Sequence, residues 1–443
     1  MPNTLDFEYI LTPKGIMPNC RLTLDSNGVI QGISESTQKA KDGFFALPGM
    51  PNAHSHAFQR ALAGFGEQRQ GQDSFWSWRE AMYRVANRIM PDDLLTIASK
   101  AYDEMLLAGF TSVAEFHYLH HWPDGKPTFA MAEAVLEAAQ SSGIRLVFLP
   151  VLYQQGGFDR PAKPEQGRFV HQKLDDYLHL LQRLKHVQVG IAPHSLRAVP
   201  MSDLTRLLEG VTDVLGQDFP IHIHISEQVA EVEQCVERYS RTPIWCLSDS
   251  VDLDERWSLV HATHATPEEL RLVRRVSAEV VLCPLTEAYL GDGIFPTVEY
   301  FDFGGRPAVG SDSNVRIDAM SELRWMEYSQ RLKNRGRAQL ANEYGVGSRL
   351  WSSAVAGGAR CLRQSVAGVS PGQYADLVVL NKDAAPLLGV GPAQLMDAWL
   401  VAGDRHCIDQ VFVGGRQRVK DGRLIKPSTK SADFSATMAR LHQ

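Results

Sequence analysis

Two histidines one residue apart, His54 and His56 in Leu47-Pro48-Gly49-Met50-Pro51-Asn52-Ala53-His54-Ser55-His56, are the first residues of this chain whose types and spacing could do chemistry. On an extended strand, residues i and i+2 share a face, so both imidazoles can converge on one ion. Neutral imidazole suits zinc and its transition-series neighbours. The stretch Ile221-His222-Ile223-His224-Ile225-Ser226-Glu227 again sets a histidine at the carboxyl end of an apolar run, with a carboxylate three residues on. His222 and His224 share a face, but barrel active sites sit at the carboxyl ends of strands, which selects His224 as a third ligand. His222 then reads as a packed interior histidine. Glu227 is placed to shuttle protons; without the neighbouring histidine it would read as an ordinary helix N-terminal carboxylate.

His261 ends Ser258-Leu259-Val260-His261-Ala262-Thr263-His264, where it can stabilise charge developing on an attacked atom or orient a water. His264, in the following loop, reads as structural. Asp312 follows Ala308-Val309-Gly310-Ser311, whose small residues permit close backbone approach; alone it would read as a turn aspartate. Four strand ends thus supply HxH, His, His and Asp in order. His54, His56, His224 and Asp312 together hold one divalent cation and leave a position for water, whose pKa a bound cation lowers from roughly 15.7 to about 7. The chemistry is hydrolysis, with Glu227, His261 and Asp312 as the catalytic candidates.

These strand ends need a scaffold that brings them together. From about residue 48 to 320, short β-branched or apolar runs alternate with longer stretches of helical period, the pattern of βα units around a parallel sheet. Strands are expected to end near Ala53, Glu115, Val151, Pro193, Ile225, Val260, Cys283 and Gly310, and eight is the TIM-barrel number. Helices are expected over 92–107, 129–141 and 267–276, the last two behind Pro-Thr or Thr-Pro start signals. Residues 5–46 and 374–425 are instead rich in short strands broken by Gly, Asn and Asp, with Asn27-Gly28, Gly414-Gly415 and Asp421-Gly422 reading as hairpin turns. The expected architecture is α/β: a (β/α)8 TIM-like barrel over 48–365, with a small β-sandwich domain composed of 1–47 and 366–443.

Hydrophobic residues make up 44 % of the 443 and charged residues 22 %, close to soluble globular averages, which excludes a disordered or fibrous chain. A formal charge of −6 gives no basic footprint for nucleic acid or an anionic membrane, so a small-molecule partner is expected. Met1-Pro2-Asn3-Thr4-Leu5-Asp6 has no basic n-region, and no apolar run approaches the length of a membrane span; the chain reads as cytoplasmic. Its six cysteines lie far apart without a CxxC pair, which argues for reduced, buried thiols rather than disulfides or a thiolate zinc site.

The order HxH, His, His, Asp resembles the amidohydrolase superfamily, whose members carry these residues on strands 1, 5, 6 and 8. Gly372-Gln373-Tyr374-Ala375-Asp376-Leu377-Val378-Val379-Leu380 is similar to that family's return into its β domain. Strand 4, Val187-Gln188-Val189-Gly190-Ile191-Ala192-Pro193-His194, lacks the lysine that binuclear members carbamylate. The resemblance therefore implies one metal ion, zinc first, with iron(II) and manganese(II) as alternatives. Cys283-Pro284-Leu285-Thr286-Glu287-Ala288-Tyr289-Leu290-Gly291-Asp292-Gly293 resembles the deaminase and chlorohydrolase branch, with Thr286-Glu287 standing where that branch usually has Ser-Asn.

With His54-Ser55-His56-Ala57-Phe58-Gln59-Arg60 and Ala192-Pro193-His194-Ser195-Leu196-Arg197, the resemblance implies an iminohydrolase of a small linear amidine bearing two carboxylates. Such a dicarboxylate needs cationic, preferably bidentate, partners. Arg197, just past strand 4, and Arg79, in Phe75-Trp76-Ser77-Trp78-Arg79, are placed to supply them. By the same resemblance Gln59, Tyr118 and His194 contact substrate. The implied reaction adds water to the amidine carbon; Glu227 takes a proton and relays it to the departing nitrogen, His261 stabilises the tetrahedral intermediate, Asp312 accepts a proton from the water, and ammonia leaves. The family also implies a homodimer. Three other readings stand beside this one: a deaminase of purine or pyrimidine rings, a ring-opening amide hydrolase that releases no ammonia, and a non-catalytic scaffold of the same fold.

Overall fold

The computed structural model describes residues 3–65 and 75–443. Its strands are, in chain order, β1 (Asn3–Thr12), β2 (Gly15–Leu24), β3 (Ile30–Glu35), β4 (Gly43–Pro48), β5 (Met50–Ser55), β6 (Phe110–His117), β7 (Arg145–Leu152), β8 (Ala192–Pro193), β9 (Ile221–Ile225), β10 (Trp257–His261), β11 (Glu279–Leu282), β12 (Ala308–Val309), β13 (Leu377–Leu380), β14 (Ile408–Val413), β15 (Arg416–Lys420) and β16 (Arg423–Leu424). Parallel pairing joins β5 through β8 in order and, separately, β9 through β12. Two parallel bridges, Ile191–Ile221 and Ser55–Asp312, connect the sets on both sides, so the eight strands close into a barrel. β6, β9 and β10 are buried along their whole length, as parallel strands are when helices cover the sheet.

The seam between β5 and β12 is where the first and last barrel strands meet. His56 N–H donates to the Asp312 carbonyl and Asp312 N–H to the His54 carbonyl, both at 2.9 Å. A Cβ at Gly310 would lie 2.7 Å from the Cβ and carbonyl oxygen of His54, so only glycine lets the strands approach this closely.

Every expected barrel strand is present, with ends within two residues of those read in the sequence. The expected helices span Pro91–Leu107, Ala130–Ser142 and Pro267–Arg275. The last begins with a reciprocal cap: Thr266 Oγ1 accepts from Glu269 N–H, and the Glu269 carboxylate accepts from Thr266 N–H.

The terminal strands form one sheet in the order β16-β15-β14-β13-β4-β1-β2-β3. β4 pairs parallel to β1 and antiparallel to β13, so the two ends of the chain meet at its centre. A bridge from Val29 to Tyr374 bends the sheet round a core of its own, including Phe7, Leu22, Ile30, Leu377, Val379 and Phe412, in the manner of a sandwich. At Gly414-Gly415 and Asp421-Gly422 both residues have positive φ, the type I′ signature of two-residue hairpins. At Asn27-Gly28 only Gly28 does; the turn is held instead by the Asp25 carboxylate, which accepts from Asn27 and Val29 N–H. Late in the chain, helix Ser431–Leu441 leaves this sheet and packs on Pro91–Leu107. All six thiols are free and buried, and among the described residues no helix is long and apolar enough to cross a membrane.

Barrel and sheet are tied by an ion pair that begins at β7. The Arg145 guanidinium donates to both oxygens of the buried Asp376 carboxylate, which also accepts from Gly414 N–H at 2.6 Å. Replacing Asp376 with alanine strands a guanidinium and a backbone donor together. We expect Asp376→Ala to lower stability by about 2 kcal/mol, read as a fall in the urea midpoint.

Candidate active site

The described ends of the barrel strands deliver the predicted residues to one place. Ser226, His261, Ala262 and Asp312 all leave their strands with left-handed backbone (φ 51°, 69°, 49° and 43°), which turns their chains sharply around a shared centre. His56 Nδ1 donates to the Phe116 carbonyl at 2.8 Å and His224 Nδ1 to the His194 carbonyl at 3.1 Å. A carbonyl only accepts, so in each ring the proton sits on Nδ1 and the neutral form presents a lone pair at Nε2. Those lone pairs face His54 Nε2, at 3.1 Å from His56 and 3.0 Å from His224. Asp312 Oδ1 lies 3.2 Å from His56 Nε2 and 3.5 Å from His54 Nε2.

Lone pairs that converge in a buried space repel one another unless a cation lies among them. The four ligand atoms are mutually within 4.8 Å, and all four residues are buried. Their closest separations approach the roughly 3.3 Å expected between donors bonded to one zinc-sized ion. The residues therefore fit a divalent cation. Electrostatics agrees: burial, reinforced by the neighbouring His56, holds the His54 imidazole down to about 3 against the pull of Asp312, and burial among other histidines holds His224 well below its ordinary value. Burial alone would raise the Asp312 carboxyl, but its close contacts with His54 and His56 and the charge of His261 outweigh it and hold the group well below its ordinary value.

His261 differs from the other histidines. Its Nδ1 lies 3.2 Å from Glu287 Oε1, while Nε2 faces Glu227 at 3.9 Å and Asp312 Oδ2 at 3.8 Å. Burial pushes this imidazole down, but hydrogen bonding to Glu287 and the charges of Glu227 and Asp312 raise it to about 10. Glu287 Oε1 is itself fixed by Cys283 N–H at 2.8 Å. The sequence marked Glu287 as unusual without giving it a place; what placed it was the turn from β11 into helix Pro284–Leu290.

Glu227 Oε2 is 3.3 Å from Arg197 Nη2. Behind them stands Glu231, which accepts from Glu227 N–H at 3.0 Å and lies 3.9 Å from Arg197 Nε. Gln59 donates to the Tyr118 hydroxyl at 2.8 Å, while its Oε1, although buried, has no hydrogen-bond partner among the described residues. An amidine N–H would satisfy it. His56, Gln59, Arg79, Tyr118, His194, Arg197, His224, Glu227, His261 and Asp312 all line a single cavity, with His54 buried beside it. His222 lies outside: its Nε2 meets the Cys361 carbonyl at 2.9 Å. His264 pairs with the Asp292 carbonyl at 2.8 Å.

The sequence reading also missed the polar supports beneath the metal ligands. Glu115 accepts from Ser55 Oγ at 2.8 Å and from Ala57 N–H at 2.7 Å, clamping the HxH segment from both sides of His56. Asn52 bridges to Ser311 at 2.6 Å, and Asn314 donates to Ser55 Oγ at 3.0 Å, which ties β5 to the loop carrying Asp312. An acidic residue at the end of β6 was the one available signal.

A barrel of this topology, with these donors at the ends of β5, β9 and β12, defines a metal-dependent hydrolase, and the chain belongs to the amidohydrolase family, whose model matches residues 45–418. It is similar to a formimidoylglutamate deiminase of Pseudomonas aeruginosa, 43 % identical with 98 % of each chain covered. An 8-oxoguanine deaminase of the same organism is 29 % identical, covering 97 % of this chain and 95 % of that one. Among solved structures, an amidohydrolase from Brucella melitensis superposes over 100 % of both chains with a TM-score of 0.92 at 37 % identity.

Proposed function

We propose that this protein is a formimidoylglutamate deiminase, converting N-formimino-L-glutamate and water to N-formyl-L-glutamate and ammonia in histidine degradation. The observation that carries the proposal is the presence, in one cavity, of a divalent-cation donor set and two guanidiniums, Arg79 and Arg197, suited to a dicarboxylate. The 43 % identical relative supports the same substrate.

A divalent cation held by His54, His56, His224 and Asp312 supplies Lewis acidity and makes hydroxide available at neutral pH. Water adds to the formimino carbon. Glu227 takes a proton from that water and delivers it to the nitrogen that departs, so a C–O bond forms, a C–N bond breaks and ammonia leaves. His261, charged and directed between Glu227 and Asp312, stabilises the tetrahedral intermediate through Nε2. Asp312 accepts the second proton from the adding oxygen as the carbonyl forms and returns it to the departing nitrogen, so that both hydrogens of the water leave with the ammonia. Gln59 and Tyr118 orient the amidine, and His194 and the two arginines hold the carboxylates. In this reading residues 48–365 carry the chemistry and 1–47 with 366–443 brace the barrel. The ion is zinc, although iron(II) and manganese(II) accept the same donors, and the enzyme works as a cytoplasmic homodimer.

The direct test is ammonia release from N-formimino-L-glutamate beside guanine, cytosine and adenosine. Turnover of the linear amidine alone is expected; turnover confined to a ring substrate overturns the assignment. Arg79→Met should lower kcat/KM for N-formimino-L-glutamate by about ten- to a hundredfold, the range for losing a hydrogen bond to a charged group. Steady-state kinetics at fixed metal content measure it.

A further inference from the structure

Beyond the arginines, two tyrosines that line the same cavity belong to a hydrogen-bonded cluster to which no role has been given. Gln166 is fully buried at the end of a short turn, Pro164–Gln166. Its Oε1 accepts from Lys163 N–H at 2.7 Å, which fixes the orientation of the amide, since a backbone N–H requires an acceptor. The amide NH2 therefore faces two tyrosines and donates to both, to Tyr153 Oη at 2.6 Å and to Tyr83 Oη at 3.0 Å.

Each hydroxyl has one proton to give and is already used as an acceptor. Even with one proton bridging the two hydroxyls, the other would still be available to donate. At least one O–H then remains without an acceptor among the described residues. Both tyrosines are nearly buried and line the cavity, so that donor is presented to whatever the cavity holds. A hydroxyl that accepts a hydrogen bond is polarised to donate a stronger one.

The position selects which part of the ligand is met. The Tyr153 ring packs at 4.8 Å on His194, whose ring lies 4.9 Å from the metal-binding His224. Tyr153 thus stands one ring further from the reacting centre than His194. The Arg79 guanidinium lies 5.7 Å from the Tyr83 ring centroid. Arg197, by contrast, touches Glu227 and so belongs to the near end.

We propose that Gln166, Tyr83 and Tyr153 form a specificity-determining donor cluster which, with Arg79, recognises the carboxylate farthest from the amidine carbon. This deepens the deiminase reading and rests on it. The fixed amide makes the tyrosines donors, and donors discriminate an anion from a neutral amide of the same shape.

The test compares N-formimino-L-glutamate with N-formimino-L-glutamine, whose distal carboxylate is an amide, on the zinc-loaded enzyme and its variants. The wild type is expected to prefer the dicarboxylate. In the Tyr83→Phe, Tyr153→Phe double variant, kcat/KM for the dicarboxylate should fall by about ten- to a hundredfold, mostly through KM, with little change for the amide. Gln166→Glu should give the same selective loss, because a carboxylate at that position draws both hydroxyl protons toward itself. Zinc stoichiometry and melting temperature report whether each variant is folded and metallated. An unchanged preference in a folded, metallated double variant overturns the cluster's role, as does an equal loss on both substrates. Wild-type enzyme that hydrolyses neither amidine overturns the underlying deiminase reading instead.

Discussion

Glu227→Gln is expected to lower kcat for N-formimino-L-glutamate by roughly 10²- to 10⁴-fold while zinc content stays at wild-type level. The substitution is nearly isosteric and keeps a group that can face Arg197. It removes only the ability to take a proton from water and hand it to the leaving nitrogen. Glu227 is not among the four converging donors, so metal binding has no reason to change. Arg197 retains Glu231 as a charge partner, which keeps the local structure satisfied. Ammonia release under saturating substrate, with zinc measured on the same sample, reads both quantities. Full turnover by a metallated Glu227→Gln enzyme would remove Glu227 from the proton path.

Asp312→Ala and exhaustive chelation should each abolish activity, with losses of at least about 10⁴-fold. The size follows from water itself: lowering its pKa from roughly 15.7 to about 7 raises available hydroxide on the order of 10⁸-fold, part of which is offset by weaker nucleophilicity. Chelation should be reversed by added zinc, whereas Asp312→Ala should not recover. Stability should follow occupancy, because an ion bound only by the folded state contributes about 2.7 kcal/mol at a hundred times its dissociation constant. A melting curve with and without chelator measures that difference. Activity that survives complete removal of metal would sink the hydrolytic reading.

The grouping of His54, His56, His224 and Asp312 was legible in the sequence because simple local rules were read together, none of them sufficient alone. Period-two alternation puts His54 beside His56, and the carboxyl end of a strand selects His224 over His222; the structure places His222 on the Cys361 carbonyl instead. The barrel was legible for the same reason, since runs such as Arg145–Leu152 carry their strand signal in their own composition. What could not be read depends on convergence. Gln166, Tyr83 and Tyr153 come from a turn, a helix and the exit of β7, and nothing in their spacing foretells that one amide faces two hydroxyls. Glu231 looked like an ordinary helical carboxylate and Glu287 stood out only as a departure from the family pattern, because the significance of both lies in which cation the fold sets opposite them. The Asn27-Gly28 turn was read correctly as a reversal, but its hold comes from Asp25, which a dipeptide rule does not include.

The hydrogen bonds joining His54 and His56 to Asp312 fix an order of assembly. Two of the four ligands lie on the first barrel strand, and the fourth follows the last, more than two hundred and fifty residues later in the chain. During synthesis His54 and His56 leave the ribosome long before Asp312 exists. The complete donor set therefore arises only when β12 docks against β5 and the cylinder shuts. Four-donor metal capture thus waits on closure of the barrel, and a chain that stops short of β12 lacks the fourth donor.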